Sequence, residues 1–127
     1  MRTLLALSFL AVLPAVDCIP TIGDGQACTT LYAYGVSATV ADAATGDPID
    51  NAVLTLTDGD YTEVMQPFPS GGYAGAGERP GHYTLTISVP GVATGTIDDL
   101  DLGFDGCHVI GVALDIRVSP GMIIVDR

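Results

Sequence analysis

Apolar and polar residues alternate with a period of two along most of this chain, the pattern of strands with one face buried. In YGVSATVAD, Val36, Ala38 and Val40 fall on one face, with Ser37 and Thr39 on the other. AVLTLT continues the pattern with Ala52, Leu54 and Leu56 facing one way. Asp58-Gly59 then signals a hairpin, with YTEVM as the return strand. The cleanest strand has Tyr83, Leu85, Ile87 and Val89 inward against Thr84, Thr86 and Ser88, and Pro90-Gly91 ends it. GTIDDLDLGFDG sets Leu100, Leu102 and Phe104 against Asp99, Asp101 and Asp105. CHVIGVALDIRV alternates through Leu114, Ile116 and Val118. No segment after the first twenty residues has helical periodicity. The pattern predicts an all-β fold, a seven-stranded Greek-key β-sandwich.

One stretch breaks the alternation. GGYAGAGERPG, residues 71–81, resembles a phosphate-cradling loop at first sight. The third glycine of a G-x-G-x-x-G fingerprint falls on Pro80, which has no N–H to donate, and the lysine of a P-loop is replaced by Glu78. The expectation is therefore a flexible connection over Gly71–Gly77, with Tyr73 dipping towards the sandwich. Pro80-Gly81 should turn the chain into the next strand as a type II turn, and Gly75→Ala should then cost almost nothing.

Composition sharpens this picture. The chain has 127 residues, 16 Gly, 8 Pro and no Trp, enough for one domain of short strands and tight turns. Fifteen acidic residues face four arginines, for a net charge of −11. Nucleic acid is excluded as a partner, because no basic patch can form to meet phosphates. Adhesion to anionic lipid by charge is disfavoured for the same reason.

The N-terminus reads as an export signal, with Met1-Arg2 ahead of the apolar stretch Leu4–Leu13, too short to span a bilayer. Cleavage after Ala15 would release a soluble chain. Cleavage after Asp17 would expose Cys18 for lipidation, although Ala15, Val16 and Asp17 depart from the usual lipobox. Of the three cysteines, Cys28 and Cys107 bracket the strand-rich region and are paired here as a disulfide, leaving Cys18 for a lipid. The expected organisation is a signal peptide at 1–17, a linker at 18–28, the sandwich at 29–119, and a tail or extra edge strand at 120–127.

GVSATVADAATGDPIDNAVLTLTDGDYTE, followed by YAGAGERPGHYTLTISVPGVAT and CHVIGVALDIRV, resembles a carboxypeptidase regulatory-like domain from about Gly35 to Val118. The carrying features are the T-G-x-P-I step at Thr45–Ile49, Ala52 at the next strand, and the G-x-Y-x-L-x-I pattern from Gly81. Val92 stands where the family usually has an aromatic after its P-G. The resemblance implies a transthyretin-like (prealbumin) sandwich. In the carboxypeptidases that name the family, this sandwich is an accessory beside a catalytic domain. The same fold hosts 5-hydroxyisourate hydrolase, but its C-terminal Tyr-Arg-Gly-Ser and N-terminal histidine motif have no counterpart here: the chain ends MIIVDR and its first histidine is His82.

Candidate chemistry is sparse. His108 beside Cys107 lacks the partners of a zinc motif, and Ser70, Ser88 and Ser119 lack a nucleophile-elbow context. Asp99, Asp101 and Asp105 are the candidate calcium ligands, since clustered carboxylates can supply several of its oxygens. A solvated strand face is the competing reading of those three. The expectation is a non-catalytic module with no cofactor, exported to a bacterial cell envelope or the extracellular space. Its role would be structural or binding, towards an unknown protein or glycan, and a lipid on Cys18 would be its one link to a membrane. A calcium- or carbohydrate-binding module and a small hydrolase are the alternatives.

Overall fold

The computed structural model describes residues 27–127, so the expected signal peptide at 1–17 and Cys18 lie outside the described residues. The strands are β1 (Tyr34–Asp42), β2 (Val53–Asp58), β3 (Tyr61–Val64), β4 (Gln66–Phe68), β5 (Gly72–Gly77), β6 (Gly81–Val89), β7 (Ala93–Leu102), β8 (Val112–Ser119) and β9 (Met122–Asp126). They form a five-stranded sheet, β4-β5-β1-β8-β9, and a four-stranded sheet, β3-β2-β6-β7. The chain changes sheet between β1 and β2, β3 and β4, β5 and β6, and β7 and β8, which interlocks the two layers. β1 and β8 pair in parallel; every other pairing is antiparallel.

The inward faces anticipated from alternation form the core. Val36, Val40, Leu54, Leu56, Tyr83, Leu85, Ile87, Leu100, Ile116 and Val118 are all essentially inaccessible. The β2–β3 hairpin turns at Gly59, whose φ of 57° supplies the positive value that the first corner of a II′ turn requires.

Nine strands form among the described residues rather than seven; β4, β5 and β9 are the ones that alternation did not mark, and they have different origins. Gln66–Phe68 pairs with β5 despite Pro67, because β4 is an edge strand whose outer side needs no donor. Met122–Asp126 adds β9 to the other edge of that sheet through Asp115↔Asp126 and Ser119↔Met122.

The glycine-rich segment is also corrected: residues 72–77 are no flexible connection. They form β5, an inner strand between β4 and β1, with Tyr73, Ala74 and Ala76 buried. Tyr73 does reach into the sandwich. Its hydroxyl donates to Ile49 O at 2.7 Å and accepts from Ala52 N–H at 3.1 Å. The turn sits earlier than Pro80-Gly81. Arg79 N–H returns to Ala76 O at 3.2 Å, while Gly81, which does take a positive φ (157°), already opens β6. Phe104 leaves the inward row because β7 stops at Leu102; its side chain is half exposed.

Candidate functional site

Polar interactions concentrate where β5 hands over to β6. Ala76 and Glu78 adopt φ of 51° and 50°, a left-handed conformation that non-glycine residues take only when their surroundings hold them there. What holds Ala76 is Glu63, whose carboxylate accepts its N–H at 3.0 Å. Glu78 is held by Ala33: its N–H donates to Ala33 O at 2.8 Å, and its Oε1 accepts from Ala33 N–H at 2.7 Å. The tight turn sends Glu78 and Arg79 into two separate clusters.

In the first cluster, Glu78 Oε1 lies 2.8 Å from His108 Nδ1, and His108 Nε2 lies 3.0 Å from Thr29 Oγ1. Asp105 Oδ1 accepts the N–H groups of Cys107 and His108, each at 2.8 Å, which fixes the loop between β7 and β8. The Cys28–Cys107 disulfide closes the same cluster, with the two Cα atoms 5.2 Å apart. The Ala33 N–H, and then His108, hold the Glu78 carboxyl below its ordinary value; the His108 and Cys107 N–H groups do the same for Asp105.

In the second cluster, the Arg79 guanidinium stacks 3.7 Å from the Tyr61 ring centroid, bonds Asp58 Oδ2 at 3.0 Å, and donates to the Tyr83 hydroxyl at 2.7 Å. Tyr83 donates in turn to Arg79 O at 3.0 Å. Tyr61 donates to Glu63 at 2.6 Å, and that carboxylate pushes the phenol up to about 12. Arg79 thus braces the β2–β3 hairpin, while Glu78 braces the N-terminal approach to β1 and the β7–β8 loop.

Thr29, His108 and Glu78 place a hydroxyl, an imidazole and a carboxylate in series, the order of groups in nucleophilic hydrolases. Here Glu78 is shared with the Ala33 amide. The chain of contacts joins three segments lying 30 to 79 residues apart in sequence. Sequence reasoning missed Thr29, Glu78 and Arg79 as partners, because no local spacing connects residues so far apart.

The candidate calcium ligands are not gathered into one site. Asp99 accepts from Arg127 Nη2 at 2.5 Å, Asp101 bonds His82, and Asp105 is occupied by the amides above. Among the described residues no group of three or more His, Cys, Asp or Glu side chains is arranged to hold a metal ion. His82 and His108 answer to different carboxylates, Asp101 and Glu78.

A family model described as the carboxypeptidase regulatory-like domain matches residues 35–114, from β1 into β8. The chain belongs to that family. Carboxypeptidase regulatory-like domains are non-catalytic regulatory modules, and the matched span is built of the sandwich strands and the turns between them. In this regulatory-like domain the matched span includes Glu78, Arg79 and His108; Cys28, Thr29 and β9 lie outside it. No curated protein matches the chain.

Proposed function

We propose that this regulatory-like domain is an exported, non-catalytic module of a bacterial cell envelope, with a structural or binding role, tethered to a membrane through a lipid on Cys18. The observation that carries the reading is the family match over 35–114, which assigns most of the chain to an accessory sandwich. The apolar stretch at residues 4–13 supports export, and the Cys28–Cys107 disulfide is compatible with an oxidising compartment.

The test expresses the full chain in a bacterial host and reads the mature N-terminus by mass spectrometry, with detergent partitioning alongside. A chain starting at Cys18 with a diacylglycerol mass is the expected result. A chain starting at Val16 would remove the anchor and keep export. Retention in the cytoplasm with residues 1–17 intact would overturn the reading. The non-catalytic part is tested with 5-hydroxyisourate: turnover that His82→Ala or His108→Ala abolishes would replace the module with a hydrolase.

A further inference from the structure

The outer face of the five-stranded sheet is concave where its side chains are small. Ser37 and Thr39 of β1 stand in register with Ala113 and Asp115 of β8 on one side. On the other side they stand in register with Ala74 and Gly72 of β5. A groove of about 360 Å³ opens here, bordered at one end by Asp126 and Arg127; that volume is in the lower range for small-ligand sites.

The two flanks differ in chemistry. On the β4 side, Phe68 is in register with Gly72 and hence with Thr39, so the ring has no side chain between itself and the groove. Tyr34, at the start of β1 and in unbroken register with Gly77, comes to Phe68 through its ring. The Tyr34 ring lies 6.3 Å from that of Phe68, and Tyr32 follows 5.2 Å from Tyr34. All three rings are exposed to solvent by more than a third. The opposite flank is polar and fixed. Asp115 is held by Arg117 at 3.1 Å, and Arg127 is held by Asp99.

The geometry points to a binding groove for a neutral oligosaccharide, with pyranose faces against Phe68 and Tyr34 and hydroxyls bonded to Ser37, Thr39, Asp115 and Arg127. A sugar ring offers an apolar C–H face and a polar rim, and the groove offers one wall for each. A net charge of −11 repels polyanionic glycans. A peptide could not join by strand pairing, because the backbone groups beneath the groove are already used between β5, β1 and β8. This inference rests on reading the chain as an exported binding module.

The test uses the chain purified with its disulfide closed. It is titrated calorimetrically with cellohexaose, maltohexaose, xylohexaose and chitohexaose, with trigalacturonate as the acidic control, and backbone amide shifts are recorded. The expected result is that at least one neutral hexaose binds and shifts the amides of Ser37, Thr39 and Ala113. Phe68→Ala and Ser37→Tyr should each weaken that binding at least tenfold without lowering the melting temperature appreciably. Silence towards all four hexaoses, binding indifferent to both substitutions, or a preference for trigalacturonate would overturn the groove. An exported chain that binds none of them fails this inference alone. A chain retained in the cytoplasm that still binds fails only the export reading.

Discussion

Gly75 lies under a crowded roof. A Cβ placed there would come within 2.7 Å of Glu63 Oε2, 2.8 Å of Met65 Cγ and 3.0 Å of Leu56 Cδ1. Two of those neighbours are core side chains, so they cannot swing into solvent. Gly75→Ala is therefore predicted to cost about 1–3 kcal/mol, the usual range for overpacking. Gly72→Ala should cost less, since its nearest atoms would be at an ordinary 3.4 Å. Thermal melts of the two variants decide, and equal melts would place the crowding elsewhere. Glu78 makes a second prediction at this scale. Its folded pKa is depressed below the ordinary 4.5, so the unfolded chain takes up the proton first as pH falls. The stability from its contacts is complete above the ordinary carboxyl range and is lost as pH drops through the folded value. The melting difference between wild type and Glu78→Gln should thus be widest near neutrality and close in acid. A difference that stays constant with pH would mean the carboxylate charge is irrelevant.

At the scale of elements, β5 is a strand that is half glycine, held inside a sheet by what its neighbours place over it. Gly77 lies under the Tyr32 ring, and Gly75 under Met65 and Leu56. Tyr73 anchors the strand from the other end through Ile49 and Ala52. Tyr73→Phe would leave a buried carbonyl and amide without that partner, and is predicted to cost about 1–3 kcal/mol. Hydrogen exchange should show the amides of residues 73–76 protected in the wild type and exposed sooner in the variant. Fast exchange of those amides in the wild type would restore the flexible connection that the glycines led one to expect. A strand is recognised by alternating side chains, and glycine has none to alternate. The entropy that argues against a glycine strand in isolation is offset here by ladders on both sides.

At the scale of the whole molecule, the disulfide couples the N-terminal approach to the β7–β8 loop at the same end of the sandwich. Cys28 and Cys107 are 79 residues apart, so the bond removes a large loop's freedom from the unfolded chain. In the chain-entropy model this stabilises by about 4 kcal/mol. For a domain near this size, opening it should lower the melting temperature on the order of 20 °C. Cys28→Ser and reduction should agree with each other, while Cys18→Ser should leave the melt unchanged. A melt insensitive to reductant would show that the contacts among Thr29, Glu78 and His108 alone brace this end.

What the sequence determined by itself is which side of each strand faces inward. Val36, Ala38 and Val40, then Leu54 and Leu56, then Tyr83 to Val89, then Leu114 to Val118 read correctly, because the pleat makes that property local. The family and the cysteine pairing were legible too, the first from turn and strand motifs and the second because few cysteines leave few choices. Tertiary structure alone decided that residues 72–77 are a strand and that Ala76 and Glu78 are held at positive φ. It alone brought Glu78 to His108 and Thr29, and set Phe68 beside Thr39. Each of those facts depends on a partner 13 or more residues away, and alternation carries information only about a residue's immediate neighbours.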